Sequence, residues 1–149
     1  GKHTDYGLIT LLYQVEYGLQ MRERNGQWVW VPPPPAAHMF TVNIGDCMQI
    51  LTNGRYQSTM HRVVNRSGRD RYSMAFFFDP NVDAVLHPIL QTPAERARGD
   101  APMEPQFAPV AAGEVKLAKY QAVWEAEREV VSIEHGLEKA VVRDVLFRK

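Results

Sequence analysis

Short runs of apolar and β-branched residues, broken by turn-forming pairs, fill the first 80 positions. Leu8-Ile9-Thr10-Leu11-Leu12-Tyr13 has the length and composition of a strand. Gly18-Leu19-Gln20-Met21-Arg22 and Trp28-Val29-Trp30-Val31 flank Asn25-Gly26, a strong hairpin signal. The run from Pro32 to Pro35 must leave the sheet, because prolines cannot donate to a ladder. Phe40-Thr41-Val42-Asn43-Ile44 predicts a strand before a Gly45-Asp46 turn, and Met48-Gln49-Ile50-Leu51 predicts another that ends at a second hairpin signal, Asn53-Gly54. His61-Arg62-Val63-Val64 and the segment Arg71 to Phe78 flank the polar turn Asn65-Arg66-Ser67-Gly68. Short strands at this spacing predict a β-sandwich or barrel.

The pattern changes after Pro80. Residues 81–112 are rich in proline and alanine and read as a wrapping loop. Within it Thr92-Pro93-Ala94-Glu95 has the form of a helix start: a cap, a proline in the first turn and a glutamate that reaches back, with Gly99 as the stop. Leu117, Tyr120, Trp124 and Val131 fall near one helical face, and Ile133, Leu137, Val141 and Val145 form a second stripe. Both predict helices packed on the β-domain. No internal repeat is present.

Composition narrows the function classes. The 149 residues suit one domain, and a 45% hydrophobic content suffices for a core. With 17 basic and 17 acidic residues the formal charge is zero, so no strong field draws the chain to nucleic acid or to an acidic membrane. The single cysteine, Cys47, excludes an internal disulfide. No apolar run approaches a membrane span, and no basic-then-apolar leader opens the sequence, so a soluble cytoplasmic protein is the default expectation.

The chemistry-bearing residues are His3, Asp5 and His61, followed by Arg71-Tyr72-Ser73. Two histidines and one carboxylate form a set that holds a metal on one face and leaves the other open; the set suits Fe(II), and equally Zn, Mn or Co. On an extended segment His3 and Asp5 point the same way, with Thr4 turned aside. His61 must come from another strand. Arg71 and Ser73 share a strand face with Ala75 and Phe77, opposite Tyr72, Met74, Phe76 and Phe78. That face of the strand carries no acid. A guanidinium fork there matches a ligand carboxylate bidentately, the serine hydroxyl adds a bond, and Ala75 leaves room. The bland alternatives are polar residues near turns for the triad, and a solvated edge strand for Arg71 and Ser73. A ligand at position 3 of a fraying end leads to the expectation that the natural protein extends further N-terminally.

These residues, with Gly18-Leu19-Gln20, Trp28-Val29-Trp30-Val31-Pro32, Asn43-Ile44-Gly45-Asp46, Leu51-Thr52-Asn53-Gly54 and His61-Arg62-Val63-Val64-Asn65, stand in the order and at the spacing of a known family. Over residues 1–80 the chain resembles the isopenicillin N synthase-like group of Fe(II)- and 2-oxoglutarate-dependent dioxygenases. The resemblance implies a mainly β fold, a double-stranded β-helix or jelly-roll barrel. Its major part would lie in residues 1–80, and residues 81–149 would form a wrapping loop and a helical C-terminal extension outside it. The family's N-terminal half has no counterpart here, so the barrel is expected to be incomplete on that side. His3, Asp5 and His61 would be the iron ligands. Arg71 and Ser73 would hold the distal carboxylate of 2-oxoglutarate. The cofactors implied are Fe(II), 2-oxoglutarate as cosubstrate and, in some members, ascorbate; the partners are O2 and a small-molecule substrate. Hydroxylation is the commonest outcome, with desaturation and ring closure as variants. A 2-oxoglutarate-independent iron oxidase of the same group, or a truncated β-domain that binds metal without turnover, are the alternatives.

The other polar residues are read blandly. His38, His87 and His135 are expected at the surface. Arg62, Arg66 and Arg69 crowd one turn and are expected to be solvated rather than a nucleic-acid patch. Tyr6 stands next to the ligand pair, where substrate contact and packing are equally open. Gln20, Asn43 and Asp46 are explained by strand-end and turn hydrogen bonds. Phe76 and Phe78 are expected in the core, and Cys47 as a small buried hydrophobe.

Overall fold

In the computed structural model the backbone is described over residues 1–134 and the side chains over residues 1–125. The described residues fall into two compact units, one spanning Gly1–Val115 and the other beginning at Lys116.

The first unit is mainly β, with antiparallel sheets. Strand β1 (Ile9–Gln14) is central, flanked by β4 (Thr41–Ile44) and β6 (Ser73–Phe78), giving the order β4-β1-β6. A second sheet has the order β3-β2-β5, from β2 (Leu19–Arg22), β3 (Trp28–Trp30) and β5 (His61–Val63). The hairpin between β2 and β3 turns at Asn25-Gly26 as the sequence implies. Glu23 N–H donates to the Gln27 carbonyl at 2.8 Å, and Gly26 takes φ 87°, a left-handed angle that glycine adopts without steric cost. His3 joins the outer side of β5 through a reciprocal pair of backbone bonds with His61, 3.0 and 2.8 Å long. The chain therefore leaves the second sheet at His3 and enters the first at Ile9, crossing between them at Asp5.

One predicted strand is a helix. Residues Asp46–Leu51 form α1, and Asn53-Gly54 ends it rather than turning a hairpin. Asn53 has φ 52° and Gly54 φ 78°. Asn53 N–H donates to the Ile50 carbonyl at 3.0 Å and Gly54 N–H to the Gln49 carbonyl at 2.8 Å, the paired bonds of a Schellman stop. At the other end Gly45 provides no side-chain cap. The orphan N–H groups go instead to the segment that carries Asp5: Asp46 N–H to the Asp5 carbonyl at 2.8 Å, and Cys47 N–H to the Tyr6 and Gly7 carbonyls at 3.3 and 3.1 Å. Residues far apart in sequence thus decide the helix. Fully buried Cys47 packs there against Leu86 and Ala112, with Leu8, Ile50, Val110 and Val115 around them.

The wrapping segment is more ordered than its composition implies. It contributes β7 (Val85–Leu86) and β8 (Val110–Ala111), paired as a two-stranded ribbon beside α1, and α2 (Pro93–Arg98). Helix α2 starts and stops as the sequence indicates. Thr92 and Glu95 form a reciprocal capping box, and Gly99 closes the helix in the left-handed region. The Thr92 backbone N–H, and beside it Arg55, hold the Glu95 carboxyl below its usual carboxylate range. Asn53 ties this segment down. It is fully buried, donates from Nδ2 to the Glu104 carbonyl at 2.9 Å and accepts the Gln106 N–H at 2.7 Å. Asn53→Ala deletes both bonds and places at φ 52° a residue that tolerates the left-handed region less well than asparagine. It is expected to cost roughly 2–4 kcal/mol, read as a drop in the urea midpoint at constant slope.

Two other expectations concern exposure. Phe76 and Phe78 are 60% and 53% exposed rather than core. Strand β6 has a neighbour on one side only, and among the described residues nothing covers its outer face. His38, His87, Arg66 and Arg69 are exposed as expected, Arg69 pairing with Glu16 at 2.7 Å. Arg62 is engaged, its guanidinium 4.1 Å from the Trp28 ring centre and its Nε donating to Gln20.

Helix α3 (Ala112–Glu134) begins in the first unit and runs through the second, where Tyr120 and Trp124 approach with ring centres 6.4 Å apart. It carries Leu117, Tyr120 and Trp124 of the first predicted stripe. The side chains of Val131 and Ile133, together with residues 135–149, which include His135 and the rest of the second stripe, lie outside the described residues. No described helix is long and apolar enough to cross a membrane.

Candidate metal and anion site

His3 and His61 sit directly opposite each other across the backbone bridge, so their side chains emerge on one face of the sheet. Their ring centres are 4.4 Å apart. Asp5, two residues on from His3, turns its carboxylate toward both rings. Its Oδ1 lies 3.7 Å from His3 Nε2 and 3.5 Å from His61 Nε2, and the three donor atoms all fall within 4.8 Å of one another. The other ring nitrogens are committed elsewhere. His61 Nδ1 is 3.0 Å from the Thr59 carbonyl and His3 Nδ1 is 3.1 Å from the Gly1 carbonyl. A carbonyl only accepts, so Nδ1 is the donor in each ring, and Nε2 is left to face Asp5.

This donor set suits a divalent first-row metal. Three mutually cis donors each about 2.1 Å from an ion stand about 3 Å apart, so the separations of 3.5 and 3.7 Å between the aspartate and the two imidazoles exceed coordination spacing by roughly half an ångström or slightly more. Asp5 and His61 are 5% and 8% exposed, whereas the His3 side chain is half exposed, which leaves one side of the cluster open. Asp5 is held from behind. Its Oδ2 accepts from Thr10 Oγ1 at 2.7 Å and from Asn43 Nδ2 at 3.3 Å.

Arg71 and Ser73 also come together. Arg71 Nη1 donates to Ser73 Oγ at 3.0 Å and Nη2 to Gln14 Oε1 at 2.9 Å. Its Nε is buried without a partner. Among the described residues the guanidinium makes no ion pair, and Ser73, using its oxygen as acceptor, keeps its own proton to donate. The guanidinium rests on Gly18, where a β-carbon would stand 2.3 Å from Nε. Gly18→Ala is therefore expected to push Arg71 off its seat. A titration with 2-oxoglutarate should show binding weakened about tenfold or more, since one lost charged hydrogen bond is worth about 1.5–3 kcal/mol.

Strand β1 joins the two clusters. Its buried face presents Thr10, Leu12 and Gln14. Thr10 bonds Asp5 at one end and Gln14 bonds Arg71 at the other, four residues or ~13 Å along the strand. The pairing with β6 sets Phe77, Ala75 and Ser73 opposite these residues, so the face expected to hold Arg71, Ser73 and Ala75 is the face that looks toward the triad. The sequence reading gives Thr10 and Gln14 no role and explains Asn43 by strand-end and turn hydrogen bonds, whereas Asn43 and Thr10 bond Asp5 and Gln14 bonds Arg71. A signal was present: polar residues at alternate positions of an otherwise apolar strand fall on one face, and buried polar groups need partners.

Comparison with known proteins gives a consistent identification. Residues 1–80 match the 2OG-Fe(II) oxygenase superfamily. The homoarginine-6-hydroxylase 2-ODD-C23 of Glycine max is 44% identical over 102 residues, covering 67% of this chain and 30% of that protein. Among solved structures, a full-length Neurospora crassa protein in complex with alpha-KG and thymine superposes with a TM-score of 0.65 at 30% identity, over 83% of this chain and 37% of that one. The rice dioxygenase for auxin oxidation gives 0.66 at 28% identity, over 82% and 40%. The chain thus spans under half the length of each of these relatives. With its first 80 residues matched to that family and its sheets superposing on solved oxygenases, the chain belongs to the 2OG-Fe(II) oxygenase superfamily.

Proposed function

We propose that this chain carries the iron and cosubstrate sites of an Fe(II)- and 2-oxoglutarate-dependent dioxygenase that hydroxylates, or desaturates, a small organic molecule. The observation that carries the reading is the placement of a two-histidine, one-carboxylate cluster and an arginine without an acidic partner along one face of β1. In this reading the two three-stranded sheets are facing walls of a double-stranded β-helix, incomplete beside β6. The named relatives act on or bind small molecules such as homoarginine and thymine, which supports the substrate class and leaves the substrate itself open.

His3, Asp5 and His61 would hold Fe(II) through Nε2, Oδ1 and Nε2. Arg71 and Ser73 would hold the distal carboxylate of 2-oxoglutarate. Bound together, ferrous iron and 2-oxoglutarate supply the reductive activation of O2, the oxoacid ending as succinate and carbon dioxide. Everything else is placement by this chain. The Arg71 fork fixes one end of the cosubstrate, and Ala75 at mid-strand leaves space for its length. The open side of the cluster beside His3 faces the substrate. Thr10, Leu12 and Gln14 form a floor with no titratable group, so no side chain there competes for the proton or for the metal.

Incubation of the full chain with Fe(II), ascorbate, O2 and 2-oxoglutarate tests this directly. Succinate formed in step with oxygen consumed is the expected result. Oxygen uptake without succinate would move the protein to the 2-oxoglutarate-independent iron oxidases. Neither product would leave a metal-binding β-domain.

A further inference from the structure

Asp5 uses only one of its two oxygens toward the histidines. Oδ1 faces both Nε2 atoms, and Oδ2 accepts two hydrogen bonds from behind, one from Thr10 at 2.7 Å and one from Asn43 at 3.3 Å. The two donors are themselves paired across β1 and β4, Thr10 opposite Asn43, so they form a pincer set by strand register. Thr10 is 3% exposed and Asp5 is 5% exposed, so water does not readily replace either bond. From this geometry we infer that Thr10 and Asn43 are positioning residues that fix Asp5 as a one-oxygen ligand, a role that rests on the assignment of His3, Asp5 and His61 to the metal.

The physical reason lies in the freedom of a carboxylate. An aspartate with a free second oxygen rotates about its terminal torsion or chelates through both oxygens. A chelating aspartate takes one more of the metal's positions and displaces an exogenous ligand. Two donors on Oδ2 oppose both movements, because each would break a charge-assisted bond in a dry site. Thr10 dominates by distance and burial. Asn43 restrains the same oxygen from the neighbouring strand. The pincer therefore keeps open the positions that the organic acid and oxygen need, and raises metal affinity by preorganisation.

The test uses Co(II) as a spectroscopic substitute for Fe(II), titrated into the full chain and into Thr10→Val, Thr10→Ser, Asn43→Ala and His61→Ala. Valine preserves the shape of threonine and removes the hydroxyl; serine restores it. Thr10→Val is expected to weaken Co(II) binding about 10–100-fold, the usual cost of losing an outer-shell partner, and to change the visible absorption of bound Co(II). Thr10→Ser should recover both affinity and spectrum. Asn43→Ala should shift both in the same direction by less. Wild-type affinity and spectrum in Thr10→Val would overturn the proposal, as would a serine variant no better than valine. A lowered melting temperature with an unchanged spectrum would also overturn it, since that is the behaviour of a merely structural bond. Should Thr10→Val not fold, Asn43→Ala decides alone by the same two readouts. His61→Ala separates the two levels: undiminished Co(II) binding there removes the metal assignment itself, whatever Thr10 does.

Discussion

His61→Ala is expected to abolish tight Fe(II) binding, an effect larger than the ~10–100-fold that an outer-shell change produces. The imidazole is 8% exposed and is oriented twice over: by the backbone pair with His3 and by the Nδ1 bond to the Thr59 carbonyl. Its loss leaves Asp5 and His3, and the His3 side chain is half exposed, so two donors remain of which one is poorly fixed. Nothing else nearby can substitute, because among the described residues the His3, Asp5, His61 group is the cluster of this kind. The backbone bridge does not involve the side chain, so β5 should keep its place and the metal-free melting temperature should move little. Equilibrium dialysis with Fe(II) under anaerobic conditions reads the effect. Stoichiometric iron retained by the variant would refute the assignment of His61.

Strands β1, β2, β3, β4 and β5 were legible because each carries an alternating or β-branched run bounded by a turn signal. The same signals misplace α1. Met48-Gln49-Ile50-Leu51 is short enough to suit either state, and Asn53-Gly54 serves a hairpin and a helix stop equally well. What decides for helix is the docking of its first N–H groups on the carbonyls of Asp5, Tyr6 and Gly7, some forty residues away in sequence. Phe76 and Phe78 depart from the sequence expectation for a related reason. Apolar residues on both faces of a strand suggest burial, but burial belongs to the neighbours, and β6 is an edge strand. At the site, residue types announced the chemistry, whereas their supports depend on register. Only the alignment of Thr10 with Asn43, and of Gln14 with Ser73, brings Oδ2 of Asp5 and Nη2 of Arg71 to their partners.

Arg71→Lys should raise the dissociation constant for 2-oxoglutarate about 10–100-fold although the charge is kept. Arginine presents a planar fork whose donors divide among several acceptors at once, and here two of them are already spent on Gln14 and Ser73. Those two bonds fix the plane of the fork and leave Nη1 and Nη2 each a second proton for an acid, while Nε is buried against Gly18. An ammonium on a flexible stem cannot hold both neighbours and a carboxylate in one plane. Loss of one charged hydrogen bond, about 1.5–3 kcal/mol, accounts for the expected change in affinity. Iron binding should be unaffected, since Arg71 lies at the Gln14 end of β1 and the triad at the Thr10 end. That contrast separates the two halves of the site. Calorimetric titration of the metal-loaded protein, with Mn(II) in place of Fe(II) to prevent turnover, measures the affinity for 2-oxoglutarate alone. An unchanged affinity in the lysine variant would mean that the acid is held elsewhere, and the face of β1 would then lose its role as the bridge between metal and cosubstrate.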